Sequence, residues 1–326
     1  MKHRERVEAA ISGKAVDRPP VALWRHFPVD DMKPNSLADA HIAWQKQFDF
    51  DFLKVTPSSA YFLYDWGLED EWKGSAEGTR EYRKRVFEDP SGWEKLSLHD
   101  PQQGSLGGQL AALKRITTEL GPDVPVIMTI FSPLGNAKKV VGDENLLAQL
   151  DSDPEAVHKG LLLLTEDTIN FLGALKETGI AGIFYAIQHA SRDLLSAEQY
   201  QEFGRGYDLE VLSAASDYWF NLLHLHGDNI QFDEFIDFPV QAINWHDRET
   251  PPDLKTGKEL FPGAVCGGLR QWDTLLLGSN EAVRAEALEA IRATDGERFI
   301  LGTGCVTMVS SPYGNVVSAR QAVEEK

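Results

Sequence analysis

Histidine and cysteine side chains, which bind metals and move protons, stand at the ends of apolar segments of this sequence. The clearest case is His224-Leu225-His226-Gly227. Since side chains alternate between the two faces of a strand, His224 and His226 point the same way and can share one metal ion. Cys305 closes the last apolar segment and can add a thiolate. Two imidazoles and a thiolate with an open fourth position are typical of catalytic zinc; the alternative is a hydrogen-bonded core histidine and a packing cysteine.

Further polar residues at segment ends could contact a substrate or move a proton. His189 and His246 are candidate acid–base groups, with a polar rim position as the alternative. The candidate substrate-binding residues are Arg25, His26, Thr56, Ser132 and Gln188. For Arg25, a structural salt bridge is at least as good an interpretation. Cys266 stands among small apolar residues, which favours packing, and a ligand role for it stays open.

Short β-branched or aromatic segments alternate with longer amphipathic ones, which predicts strands alternating with helices. The predicted strands are residues 21–25, 51–55, 126–131, 180–186, 220–226, 240–245, 263–268 and 299–302. The predicted helices are residues 37–48, 108–120, 144–150, 154–178, 197–218, 281–294 and 319–325. Eight strands in 326 residues favour a single α/β domain, a (β/α)8 TIM barrel, whose strand ends carry the active site. No G-x-G-x-x-G motif supports a dinucleotide fold.

The segment 58–103 is too long for an ordinary connection between a strand and a helix. It follows the second predicted strand, and within it residues 77–87 alternate as a hairpin does. We therefore expect one barrel over residues 1–326, with 58–103 as an insertion over the barrel mouth.

Composition excludes several classes of protein. The chain has 32 Lys and Arg against 50 Asp and Glu, a net charge of −18, which is unsuited to binding nucleic acid. No run of about 20 apolar residues could span a bilayer, and the first residues lack the apolar core of a secretion signal. We therefore expect a cytoplasmic protein without a membrane partner. Two cysteines cannot make a disulfide framework.

Several motifs, in the right order, resemble the uroporphyrinogen decarboxylase superfamily. They are Arg18-Pro19-Pro20-Val21, Ile130-Phe131-Ser132-Pro133-Leu134, Cys266-Gly267-Gly268-Leu269 and Leu301-Gly302-Thr303-Gly304-Cys305. The resemblance covers nearly the whole chain and also implies a (β/α)8 barrel. True uroporphyrinogen decarboxylases hold an acidic tetrapyrrole with paired arginines and an aspartate. Of these only Arg25 is matched here, and the first loop is acidic.

The cobalamin-dependent methyltransferase branch, which includes enzymes that methylate coenzyme M, is more similar. Its members bind zinc through a His-x-Cys-Gly motif and a distant cysteine; here His224, His226 and Cys305 occupy those positions. The resemblance implies zinc-dependent methyl transfer between a corrinoid and a small thiol or methoxy substrate. Because no corrinoid-binding D-x-H-x-x-G motif occurs in the chain, we expect the corrinoid on a separate protein that contacts the insertion. A homodimer is possible, and the sequence does not decide the oligomeric state.

Two alternatives remain at this point. One is a metal-free decarboxylase of a tetrapyrrole or another polycarboxylate, anchored by Arg25, with His189 or His246 as proton donor. The other is a non-catalytic barrel that binds a corrinoid, a tetrapyrrole or a protein partner.

Overall fold

Strands and helices alternate through most of the computed structural model, which describes residues 1–325. The strands are β1 (Leu53–Val55), β2 (Glu69–Glu71), β3 (Glu81–Lys84), β4 (Val126–Phe131), β5 (Gly182–Ile187), β6 (Leu222–Leu225), β7 (Ala242–Trp245), β8 (Ala264–Leu269) and β9 (Phe299–Thr303). The helices are α1 (His3–Ile11), α2 (Pro34–Phe48), α3 (Gly104–Leu120), α4 (Pro133–Val141), α5 (Asp143–Ser152), α6 (Pro154–Leu175), α7 (Ala197–Tyr200), α8 (Gly206–Ala214), α9 (Leu254–Leu260), α10 (Asn280–Ala293) and α11 (Tyr313–Ala322).

A parallel sheet in the order β1-β4-β5-β6-β7-β8-β9 forms the barrel wall. The two outer strands of this sheet are joined through a short segment around Val21. Ala22 N–H donates to the Leu301 carbonyl at 3.0 Å, and Asp51 N–H donates to the Val21 carbonyl at 2.9 Å. This segment takes the eighth position of the wall and closes it. The predicted (β/α)8 barrel with an insertion after its second strand is confirmed.

The closing segment itself differs from the predicted strand over residues 21–25. Its pairing is reduced to one bridge between Val21 and Leu301. The next carbonyls of the segment accept hydrogen bonds from outside the sheet. The Trp44 indole donates to the Leu23 carbonyl at 2.9 Å, and Thr307 N–H donates to the Trp24 carbonyl at 2.8 Å. A loop and a helix side chain thus replace the ladder hydrogen bonds.

Helix boundaries also differ from the prediction in a few places. The predicted helix 197–218 is interrupted by a π-helical turn, Gln201–Arg205, and its last part ends at Ala214. The C-terminal helix begins at Tyr313 rather than at residue 319. Helices α1, α4 and α9 were absent from the prediction, although Ser132 followed by Pro133 is a typical helix start: the Ser132 hydroxyl accepts a hydrogen bond from Gly135 N–H at 3.0 Å.

The insertion carries the antiparallel hairpin of β2 and β3. Only β3 lies inside the predicted hairpin 77–87, because its partner strand lies further upstream. Arg80, in the connecting turn, is fixed by Asp31 at 2.8 Å and Asp70 at 3.5 Å. These ion pairs hold the turn against the chain that follows the closing segment.

A buried carboxylate ties the closing segment to α1 at the other end of the barrel. Asp51 accepts hydrogen bonds from Val21 N–H at 2.8 Å, Arg6 at 2.6 Å and Arg18 at 2.6 Å. Burial alone would raise the pKa of Asp51, but hydrogen bonds from His3 and Arg18 outweigh it and lower this pKa to about 2.

Over residues 1–325, the structure contains no helix with the length and apolar character that crossing a bilayer requires.

Candidate metal centre

The ends of β6, β7 and β9 bring four side chains together: His224, His226, His246 and Cys305. One ligand atom from each lies within 4.8 Å of the other three. Cys305 Sγ lies 3.9 Å from His224 Nε2 and 3.8 Å from His226 Nδ1. With usual bond lengths, nitrogen and sulfur ligands of tetrahedral zinc are about 3.6 Å apart. The spacing is therefore close to what a single shared ion requires.

The strand register explains this arrangement. His224 lies on β6 beside Asn244 of β7, and alternation returns His226 to the same side as His224. His246 directly follows β7, and Cys305 follows β9. The loop before Cys305 lies against the backbone at His246, where a Cβ added to Gly304 would stand 2.8 Å from His246 Cα. Glycine at 304 therefore permits the close approach of the thiol to the imidazoles.

An amide behind His224 selects which of its ring nitrogens is free. Asn244 Nδ2 donates to the carbonyls of Cys266 at 2.8 Å and Thr303 at 3.0 Å. Its Oδ1 must then accept, and it lies 2.7 Å from His224 Nδ1. The hydrogen at Nδ1 leaves the lone pair on Nε2, which faces Cys305. Fixing the tautomer in this way is what outer hydrogen bonds do for metal-binding histidines.

Burial keeps the three imidazoles neutral near pH 7. It lowers the pKa of His226 to about 4, with a further contribution from His246, and it lowers the pKa of His224 well below the usual value. Burial also lowers the pKa of His246. Burial also raises the pKa of the Cys305 thiol to about 11. Neutral imidazoles are the form that binds metals, and the thiol would release its proton on binding one.

His246, predicted as an acid–base group, belongs to this cluster. Its Nε2 is buried and has no hydrogen-bond partner among residues 1–325. A buried acceptor without a partner costs stability, so the atom is suited to a ligand or a transferred proton.

A cavity of about 370 Å³ opens onto three of these side chains, His224, His226 and Cys305. Of the predicted substrate-binding residues, His26, Thr56 and Gln188 line it, and each presents a buried polar atom that has no partner within residues 1–325. The insertion supplies another wall of the cavity through Glu77, Thr79, Arg80, Tyr82 and Arg85.

The hairpin turn approaches His26 closely at Gly78. This glycine has a φ of +80°, and a Cβ added there would lie 2.5 Å from His26 Cβ. A larger residue at 78 would push the hairpin away from the cavity wall.

The other predicted site residues lie outside the lining of this cavity. Arg25 lines a different depression beside Trp44 and Tyr313, and its guanidinium donates to the Val309 carbonyl at 2.7 Å. Ser132 caps α4. His189 is buried, and burial lowers its pKa to about 3. Cys266 is buried and lies outside the four-residue cluster.

Sequence reasoning missed all five basic residues that line the cavity, which are Lys54, Arg80, Arg85, Lys138 and Lys139. A signal existed for Lys54, since a lysine inside a predicted apolar strand must face a polar space or a partner. The sequence carried no comparable signal for the other four, which reach the cavity through the folding of the insertion and α4.

A family profile described as uroporphyrinogen decarboxylase (URO-D) matches residues 2–326. The chain is 25% identical over 227 residues to the methylcobamide:CoM methyltransferase MtaA of Methanosarcina barkeri, a match that covers 69% of this chain and 65% of MtaA. It is 23% identical to the methylated-thiol–coenzyme M methyltransferase of Methanosarcina mazei, over 100% of this chain and 90% of that protein.

Among solved structures, a methyltransferase from Methanosarcina mazei superimposes with a TM-score of 0.87 at 21% identity. The superposition covers 99% of this chain and 98% of the other. At this identity the likeness shows the shared fold, which agrees with the barrel described above.

Proposed function

The chain belongs to the uroporphyrinogen decarboxylase family, and we propose that it is a zinc-dependent methyltransferase within it. In this proposal it moves a methyl group between a corrinoid, carried on a separate protein, and a small thiol or methoxy substrate. The observation that carries the proposal is the meeting of two imidazoles and a thiol, His224, His226 and Cys305, at one end of a cavity. The methylcobamide:CoM methyltransferase names of the relatives support the corrinoid.

The donor set suits zinc. His224 and His226 offer neutral nitrogens, and Cys305 offers sulfur once it loses its proton, a combination found in catalytic zinc sites with an open position. Bound zinc would supply Lewis acidity, which lowers the pKa of a thiol or polarises a methoxy oxygen. A single thiolate ligand leaves the site with more positive charge than two would, which strengthens that effect.

Other residues of the chain would position the substrate and its proton. Nε2 of His246 has no hydrogen-bond partner within the described chain, and the His246 ring lies beside the proposed ligands, with its centre 5.4 Å from that of His226. It is therefore suited to accept the proton that a substrate thiol gives up. His26, Thr56 and Gln188 offer unpartnered polar atoms along the cavity.

The volume of the cavity suits the small substrate but not the corrinoid. About 370 Å³ is at the small end of ligand pockets and suits a small thiol or ether. A corrinoid is too large for this space, so its reactive face must approach from the mouth, beside the hairpin wall. This is consistent with a corrinoid that arrives on another protein.

Methyl transfer from methylcobalamin to a small thiol tests the proposal, followed by the change in visible absorbance as the cobalt–carbon bond breaks. Zinc-loaded protein purified without a histidine tag should catalyse the reaction. Cys305→Ala and His224→Ala should lose at least ~100-fold in rate, while Cys266→Ala, a matched control, should keep it. Activity that persists in a strong chelator or in Cys305→Ala would refute the proposal.

A further inference from the structure

The hairpin that forms one wall of the cavity has no hydrophobic core of its own. It consists of β2, β3 and the turn between them, residues 69–84. Within the described chain, no hydrophobic side chain between Leu68 and Trp93 is buried. Every residue of the two strands is at least partly exposed. Segments with so few buried apolar contacts open more readily than the strands of a core.

Two polar contacts hold the turn of the hairpin against the barrel. Arg80 donates to the Asp31 carboxylate at 2.8 Å, and both side chains of this ion pair are buried. Val309 N–H donates to the Ala76 carbonyl at 2.8 Å. We call these two contacts the latch. The latch joins the hairpin to segments that lie before and after it in the chain, so its release would free the turn from the barrel.

The other end of the hairpin is attached to the core. Leu68, which directly precedes β2, is buried. After β3, Val86 N–H donates to the Val140 carbonyl of α4 at 3.0 Å. Gly67 has a φ of +85°, and glycine changes its backbone conformation more easily than any other residue. The hairpin therefore has an anchored base with a flexible residue beside it, and a polar latch at its far end.

The proposed function requires a partner that the cavity cannot hold. The metal cluster and the hairpin line the same cavity of about 370 Å³. A thiolate and the methyl carbon that it attacks must come within about 3–3.5 Å of each other. A corrin ring is wider than this cavity, so it reaches that distance only if a wall moves aside. The walls formed by β4, β5 and β6 consist of buried residues, which leaves the hairpin as the wall that can move.

We propose that this hairpin is a lid, which swings away from the cavity when the latch releases, admits the corrinoid, and closes again over the small substrate. The inference rests on the proposed methyl transfer from a corrinoid. A closed lid would keep water away from the substrate thiolate between the arrivals of the corrinoid. The cavity is connected to solvent, so the small substrate can enter while the lid is closed.

Hydrogen–deuterium exchange of the full chain tests the latch. Asp31→Asn removes the charge that holds Arg80, so the amides of residues 69–84 should exchange ~10-fold faster, with no change in β4 to β9. Asp39→Asn is the matched control, because Asp39 pairs with Arg115 at the surface, away from the latch, and its loss should leave the hairpin unchanged. Equal exchange of the hairpin in Asp31→Asn and Asp39→Asn would overturn the inference.

A covalent bridge across the latch tests what the lid admits. Residues joined by a backbone hydrogen bond between neighbouring segments have Cα atoms ~5.5 Å apart, within reach of a short bridge between cysteines. The zinc-loaded double variant Ala76→Cys, Val309→Cys, in a Cys266→Ala background, is bridged with dibromobimane. Methyl transfer from methylcobalamin should fall ~10-fold or more, while calorimetric binding of mercaptoethanol should stay within ~3-fold.

The single variant Ala76→Cys, treated with the same reagent, carries the added group without the bridge and should keep methyl transfer. Undiminished methyl transfer in the bridged protein, or an equal loss of mercaptoethanol binding, would overturn the lid. Latch-dependent exchange in a protein that transfers no methyl group would remove the methyltransferase and keep the mobile hairpin. Methyl transfer that the bridge does not affect would do the reverse.

Discussion

Asn244 lies outside the cluster but fixes the tautomer of one of its members, His224. The two carbonyls that accept from its amide nitrogen leave only its oxygen to face His224, and this decides which imidazole nitrogen is free. Such outer hydrogen bonds typically change metal affinity 10- to 100-fold.

Asn244→Leu should therefore weaken zinc binding by ~10- to 100-fold, measured by competition with a chromophoric chelator. It should also cost about 1–3 kcal/mol of stability, because buried carbonyls lose their donor. Asn315→Leu is the control, because Asn315 is also buried and donates to two carbonyls, those of Leu275 and Gly278, but has no hydrogen bond to a residue of the cluster within residues 1–325. Equal zinc affinity in both variants would show that Asn244 is only structural.

The sequence predicted the meeting of His224, His226 and Cys305 because strand alternation and barrel geometry suffice to bring them to one rim. It could not predict the nearness of His246, which depends on the approach of the loop at Gly304. Nor could it show that Arg25 would turn toward a neighbouring loop. Both outcomes depend on contacts between segments far apart in the chain. The use of Ser132 as a helix cap is different, because Pro133 gives a local signal for it.

Among the elements, the closing segment is the weakest part of the barrel wall, with a single bridge. Asp51 compensates for this, because it accepts from Val21 N–H and from two arginines that come from α1 and the segment after it. Removing the Asp51 carboxylate should destabilise the fold, because the two buried arginines would then lose this negatively charged partner.

Asp51→Asn should lower the free energy of unfolding by about 3 kcal/mol. The wild type should lose roughly 2 kcal/mol on acidification from this group alone. The folded pKa of Asp51 is about 2, below its ordinary 3.8, so this stability is present above pH ~4 and disappears as the pH falls toward 2. Denaturant unfolding of both proteins at pH 6 and pH 2 measures the two effects. The same difference in free energy of unfolding between wild type and variant at both pH values would contradict this assignment.

Strands and helices with strong periodicity were predicted closely, and β4 coincides with its predicted range. The hairpin was placed too far downstream because the acidic residues of β2 carry no apolar alternation, and only the pairing with β3 makes them a strand. The segment after Val21 has the residues of a strand, but its carbonyls are taken by Trp44 and Thr307. Local propensity cannot anticipate such tertiary competition.

At the scale of the molecule, the fold separates charge. The chain as a whole carries an excess of acidic groups, whereas the cavity is lined by five basic and two acidic side chains. The cavity is therefore locally basic within an acidic molecule.

The metal content of protein purified without a histidine tag, reconstituted with zinc and desalted, tests the account most directly. We predict about one zinc ion per chain in the wild type and in Cys266→Ala, and a near-complete loss in His224→Ala, His226→Ala and Cys305→Ala that keep a native circular dichroism spectrum. Reconstitution guards against metal lost during purification. A wild type that retains no more zinc than Cys305→Ala, or variants that all retain a full equivalent, would contradict the metal centre.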